Sequence, residues 1–434
     1  MDSDTSSVTS SDTESTSGDR VIERWNQSLI SDFTSLCGAP AAWVPGHPQH
    51  WGQERAKIQI NENVKTPALS HDDVLIAVGV RNEIHIYHLA TQQRVEVLQG
   101  HKSKVQTVVF AGAQVQNEQN ESHYLLVSQS QEKHDTGIIM TWDLDRHGKR
   151  VLSHDQKDKS RLPGELGSHG NPIFSPDNKT MIYVIQNGML TDPDGMSEYN
   201  PSVILWDIES RSLRHELLGH TDCVLWIGIC PNSQLAASIS WDGTARIWDM
   251  GSAACIRILG PFGGQLWSGV FSPDGKYLAI SQGSPECSVH VHDVATGQLI
   301  SRNEDLPDLW TRSLAWNPDG SLLAGGSENG HVRLWDPNTG AEKMRWCPSF
   351  AGHTKMTMNY SSAGGLQFVG QKLIFRIGEG TVGIYDVERN LKRQFSRLAE
   401  DPMHQCPRGY MICSNDEKVM VVPDADGVLR LWDL

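Results

Sequence analysis

Ser238, His220 and Asp242 lie close together in the chain. These are the residue types of a hydrolytic triad, in which an imidazole takes the proton of an attacking hydroxyl. Other stretches suggest metal chemistry and do not sustain it. HELLGH (215–220) has one residue too many for a zinc-binding HExxH. His290 and His292 share one face of a strand, a spacing seen in metal sites, but no second convergent pair accompanies them, so they read as core. GPFGG (260–264) is a turn rather than a phosphate-cradling loop, and no GxGxxG or Walker-type sequence occurs. The eight cysteines contain no CxxC pair, which gives neither a zinc site nor a disulfide framework. A different chemistry is carried by Trp241, Trp267, Trp310 and Arg312, the residue types enriched where proteins bind one another.

The elements that must position these residues follow from composition and pattern. At 434 residues the chain exceeds the ~250–300 at which single cores stop growing, so it has several domains or grows by repetition. Its 39 glycines and 20 prolines, with no long amphipathic pattern in the middle, favour a turn-rich all-β chain. A net charge of −15 argues against a nucleic-acid surface and favours solubility and basic partners. No stretch approaches ~18 apolar residues and the N-terminus is acidic, so neither a membrane span nor a signal peptide is expected. The expected compartment is intracellular, cytoplasmic or nuclear.

Residues 1–19 hold eleven Ser/Thr and five acids and no base, a composition that cannot bury enough surface to offset chain entropy. This segment is expected to be a disordered tail, and Ser11 and Thr16, each with an acid three residues on, resemble acidophilic kinase sites. In the following segment, 20–37, Ile22, Trp25, Leu29, Phe33 and Leu36 form one face of an amphipathic helix. RHGKRVLSHDQKDKSR (146–161) mixes bases with acids and reads as a solvated loop.

From about residue 40 the pattern becomes short alternating strands broken by Gly, Pro, Asn and Asp. Strand ends of one type recur at Tyr87, Trp142, Trp206, Trp248, His292, Trp335, Tyr385 and Trp432, at intervals of 42 to 64 residues. Turns FSPDN (174–178), FSPDG (271–275) and WNPDG (316–320), and the pairs Gly100-His101, Gly219-His220 and Gly352-His353, recur in step with them. Residues 40–434 therefore resemble the WD40 β-propeller family, and the eight strand ends favour eight blades over the commoner seven.

That resemblance implies four-stranded blades packed around a channel. It makes His220, Ser238, Asp242 and Trp248 a buried structural tetrad, with the Ser hydroxyl locked to an indole rather than free to attack, so no catalytic residue and no cofactor is expected. Other repeats depart from the pattern: Gly325 and Asn329 replace the Ser and Asp before Trp335, His292 replaces a Trp, and Arg81 and Glu379 stand at turn-Asp positions. The resemblance also sets Trp241, Trp267, Trp310 and Arg312 at the channel mouth, where similar propellers touch partners, and turns Trp226 and Trp316 toward the core. The expected function is a non-enzymatic scaffold for proteins or peptides in a multiprotein complex, without small-molecule substrate, nucleic acid or membrane. The alternatives are a chromatin-associated subunit binding a basic histone-like tail and a substrate receptor of a cullin-type ubiquitin ligase. Against the second, Trp-Asp-x-Arg is absent: Arg146 falls one position late after Trp142-Asp143. Finally, the chain stops one residue after Trp432-Asp433, so an N-terminal strand is needed to complete the last blade; AAWVPGH (41–47) is the expected closing strand.

Overall fold

Each of the eight recurring strand ends lies on a strand of its own antiparallel sheet, and the eight sheets form a ring of blades, a β-propeller. The structure, a computed structural model, describes residues 38–434 apart from 63, 117–121, 133–136, 152–159, 168–172, 187–199, 304–309, 328–329, 347–363, 378–380, 397–409 and 425. The tail 1–19, the amphipathic stretch 20–37, His353, Asn329 and Glu379 lie outside the described residues. No helix occurs among the described residues.

Blade 4 shows the plan. Its strands Val224–Ile229, Leu235–Ser240, Ala245–Asp249 and Cys255–Leu259 pair in chain order as an antiparallel meander. First strands of successive blades touch one another (Val224–Ile229 against Leu266–Phe271, and that against Thr311–Trp316), so these strands are innermost. Middle strands are covered on both faces by adjacent blades, and their sequences are accordingly unbroken apolar runs such as Leu75–Val80, buried at every position. Outermost strands have one face in water: in Cys255–Leu259, Ile258 is exposed while Leu259 is buried.

The recurrent turns owe their shape to a side chain. Ser175 Oγ donates to Asp177 Oδ1 (2.5 Å) and accepts from the Thr180 amide (2.9 Å). Ser272 with Asp274 and Ser414 with Asp416 repeat the arrangement, as does Ser70 with Asp72 in blade 1, where no proline marks the turn. Such local bonds tie down the hairpin between the first two strands of a blade.

Ring closure differs from the expectation in one respect. The terminal strand Val428–Asp433 is paired antiparallel with Ala56–Gln59, Ala56 opposite Leu431 and Gln59 opposite Val428. The segment 41–47 does not close blade 8. Ala42–Trp43 and Gln49–His50 instead pair in parallel with Leu391–Ser396, extending the outer edge of blade 7. The physical reason is burial: Ile58 supplies an inward side chain that is 3% exposed, whereas Ala42 and Trp43 offer no fully buried one. The chain thus rims blade 7 before it clasps blade 8.

Blade 8 is held by charge as well as by the ladder. Arg430 Nη1 lies 3.2 Å from Asp424 Oδ2, its Nη2 2.5 Å from Asp426 Oδ2 and its Nε 3.8 Å from Glu54 Oε1. The Trp51 indole donates to Asp424 at 2.8 Å, and Trp51 lies under the Arg430 guanidinium. Burial alone would lower the Arg430 pKa; its bond to Asp426 and the charges of Asp426, Asp424 and Glu54 outweigh that and raise it.

Candidate functional site

Blade 4 brings the four tetrad residues into one hydrogen-bonded chain. Trp248 Nε1 donates to Ser238 Oγ at 2.9 Å, Ser238 Oγ meets His220 Nε2 at 2.8 Å, and His220 Nδ1 meets Asp242 Oδ2 at 2.7 Å. Ser238 is fully buried and His220 is 3% exposed. Burial would raise the Asp242 pKa, but the bond and charge of His220 prevail and hold it far below the ordinary carboxylate range. A hydroxyl already bonded to an indole and walled in by two blades has no room for a substrate, so the arrangement fastens the blade rather than attacking anything.

Blade 2 carries a related network that the sequence did not single out. Trp142 Nε1 donates to Ser128 Oγ (2.7 Å), which meets His101 Nε2 (2.7 Å), while His101 Nδ1 meets Ser130 Oγ (2.7 Å) in place of a carboxylate. Blade 6 lacks the hydroxyl: Gly325 stands where Ser238 does, and among the described residues the Trp335 indole N–H has no acceptor. A Cβ at Gly325 would come within 2.5 Å of that indole, so the ring has moved over the space a serine would need. His290 and His292 stack in parallel planes with Phe262 edge-on to both, a packed cluster in blade 5.

Trp241, Trp267, Trp310 and Arg312 come from three successive blades and meet. Trp267 and Arg312 are the bulged residues at the start of the innermost strands of blades 5 and 6, where the register shifts between Leu266 and Ser268 and between Thr311 and Ser313. A bulge turns its extra side chain out of the regular alternation. Trp241 follows the second strand of blade 4, and Trp310 precedes the first strand of blade 6. Trp241 and Trp267 lie edge to face with centroids 5.3 Å apart, and Trp267 and Trp310 stack at 5.1 Å. The guanidinium carbon of Arg312 sits 3.8 Å from the Trp267 ring centre and 4.8 Å from that of Trp310. All four are half-buried, so the group forms a continuous aromatic shelf with a cation on it. Trp226 and Trp316, by contrast, are buried in the blade packing, 2% and 7% exposed.

One further residue supports the shelf, and a second lies within reach of its charge. The Trp267 indole edge rests on Gly283, where a Cβ would lie 2.4 Å from Nε1, so only glycine lets the ring lie there. Tyr410, which leads into blade 8, senses the Arg312 charge: burial raises its pKa and Arg312 opposes the rise. Neither was legible from residue type, since Gly283 bears no chemistry and Tyr410 precedes a repeat with no recognisable turn proline.

The comparisons with known proteins agree with this architecture. The family model described as WD domain, G-beta repeat matches residues 211–249 and 309–336, segments that hold the tetrad and the Trp310–Arg312 part of the shelf. The chain is 31% identical over 147 residues to the WD repeat-containing protein VIP3 of Arabidopsis thaliana, covering 31% of this chain and 46% of that protein. It is 32% identical over 189 residues to a guanine nucleotide-binding protein subunit beta of Oryza sativa subsp. japonica, covering 40% and 46%. The matches thus span less than half the length of these relatives. Among solved structures, the computationally designed Ika8 protein superposes with a TM-score of 0.61 at 18% identity, covering 88% of this chain and 100% of that one. The chain thus carries WD40 repeats at residues 211–249 and 309–336 within an eight-bladed β-propeller.

Proposed function

We propose that the protein is a non-enzymatic interaction scaffold that holds a protein or peptide partner on the shelf formed by Trp241, Trp267, Trp310 and Arg312. The observation that supports this most directly is the convergence of the four side chains from three blades into one half-exposed cluster. Tryptophan and arginine in such a cluster bury large areas at small entropic cost, and each is worth ~2 kcal/mol or more when central to an interface. A relative named as a subunit of a larger assembly, the guanine nucleotide-binding protein subunit beta of Oryza sativa subsp. japonica, supports the scaffold class. A basic histone-like tail suits this shelf less well, because the Trp267 face that would receive a lysine already carries the Arg312 guanidinium.

The test is affinity purification with mass spectrometry on wild type, Trp241→Ala and Trp310→Ala. Partners should be lost from both variants while circular dichroism shows each variant folded. Gly283→Ala should mimic them by lifting Trp267 without removing an aromatic ring. Survival of all partners in both tryptophan variants would sink the reading.

A further inference from the structure

Beside the shelf, blade 5 has a cavity of ≈ 290 Å³ between the 260–264 turn and the turn that follows Gln282. Its floor is Phe262 and its inner wall is Gln282 and His290, 4% and 5% exposed. Both are polar side chains that blade packing would ordinarily pair. His290 Nε2 meets Ser288 Oγ at 2.8 Å, and Ser288 also lies 3.3 Å from the Glu286 carbonyl and 3.5 Å from Gln282 Oε1. In the tautomer in which Ser288 gives its one proton to the Glu286 carbonyl, its hydroxyl oxygen accepts from His290 Nε2–H. The ring nitrogen left over, Nδ1, is then an acceptor. Among the described residues neither this Nδ1 nor the Gln282 side-chain nitrogen has a hydrogen-bond partner, and neither is sealed off as a buried atom.

The rim is a charge pair, Arg302 Nη2 3.1 Å from Glu286 Oε2, which leaves the mouth neutral. A carboxylate entering would meet Glu286 and an ammonium would meet Arg302. A neutral imidazole acceptor beside an amide donor, over an aromatic floor, is the complement of a carboxamide: the ligand carbonyl accepts from Gln282 and its N–H donates to His290. A volume of this size, at the lower end for ligand sites, suits one side chain rather than a large cofactor. Gln282 of the cavity is followed directly by Gly283, on which Trp267 rests, so consecutive residues serve the cavity and the shelf.

We propose that this cavity is a pocket for an uncharged carboxamide, the side chain of an Asn or Gln with which a partner peptide anchors itself beside the tryptophan shelf. The proposal deepens the scaffold reading and rests on it only for the peptide; the pocket itself is tested with a small molecule. The probe is N-acetyl-glutamine amide, titrated into the full chain labelled with ¹⁵N-histidine, with His290 assigned from the spectrum of His290→Gln. A saturable shift of the His290 ring nitrogens is expected, with a dissociation constant of about millimolar for so small a ligand. Gln282→Glu, which keeps the shape and replaces the donor by an acceptor, should weaken it at least about tenfold, and Gln282→Leu likewise. Circular dichroism shows whether each variant is folded. No saturable shift in wild type, an equal shift with acetate, or an unchanged affinity in folded Gln282→Glu would each overturn the pocket. Loss of partners in the Trp241 and Trp310 variants with no probe binding would leave the scaffold standing and remove the carboxamide anchor.

Discussion

Two ion pairs join the N-terminal segment to the last blade, and they differ mainly in burial. Arg55 Nη1 lies 3.0 Å from Asp433 Oδ1, with side chains 55% and 73% exposed. Arg430 is 9% exposed in its side chain and faces Asp424 at 0% and Glu54 at 5%. Removing Arg55 takes away an exposed pair of the kind worth at most about 1 kcal/mol. Arg430→Met keeps the aliphatic stem against Trp51 but strands two carboxylates out of water, and breaking a buried pair from one side costs ~3–5 kcal/mol. Unfolding entropy of ~2.1 cal/mol/K per residue gives roughly 0.8 kcal/mol/K for a ring of residues 40–434 that melts as one unit. The expected fall in melting temperature is therefore ~4–6 °C for Arg430→Met and about 1 °C or less for Arg55→Ala. Differential scanning calorimetry reads both. Adding Asp424→Asn to Arg430→Met should recover part of the loss, because it removes one stranded charge while Trp51 keeps an acceptor. Equal shifts for Arg55→Ala and Arg430→Met would refute the claim that burial, rather than the presence of an ion pair, makes the clasp.

Three other outcomes follow from the geometry. Ser238→Ala leaves the Trp248 indole and the His220 ring without their shared partner and should cost about 2–4 kcal/mol in denaturant titration; a loss under 1 kcal/mol would mean the tetrad contributes little. Burial first, then Arg161 for His101 and Arg302 for His290, lowers the two pKa values from 6.5 to about 4 and about 3. The unfolded chain takes up these protons before the folded one does, so stability present above about pH 6.5 is lost as pH falls toward 4, by roughly 1 kcal/mol per pH unit for each ring. Melting temperature measured from pH 7.5 to 4.5 checks this, and His101→Gln should flatten the slope. Ile58→Asp puts a carboxylate into the closing strand and should expose blade 8 to protease, whereas Trp43→Ala, on the rim of blade 7, should leave digestion unchanged.

The ring was legible because its repeats are spelled in large aromatic residues at fixed places, and a Trp-Asp strand end needs no tertiary information to be found. The members of the shelf were legible for a related reason: residue type marked the three tryptophans and the arginine as candidates. What escaped reading depends on contacts far apart in sequence. Ala56–Gln59 is four residues long with one fully buried side chain, so its pairing leaves almost no pattern, while the more apolar 41–47 attracts attention and pairs elsewhere. His101 closes its network on Ser130 rather than an Asp, and only the fold shows that two hydroxyls serve. The blade 5 cavity is made of a Gln, a His and a Phe whose types suggest core.

Blade 8 has a buried ionic cluster in place of the hydroxyl and imidazole that fasten blades 2 and 4. Val422 occupies the place of Ser238, and among the described residues the Trp432 indole has no acceptor, so the fastening of blades 2 and 4 is missing in the blade where Ala56–Gln59 pairs with Val428–Asp433. A strand as short as Ala56–Gln59 holds register weakly, since a slip of one residue turns Ile58 from the core to the solvent side. Apolar packing alone penalises that slip by one side chain. A directional set does more: Glu54 and Trp51 reach Arg430 and Asp424 only in the observed register, and a slip strands charges in a dry interface. The cluster thus selects which residues meet more than it adds to the depth of the fold, and a hydrophobic replacement of the whole set should give a ring that still melts high but closes in more than one register.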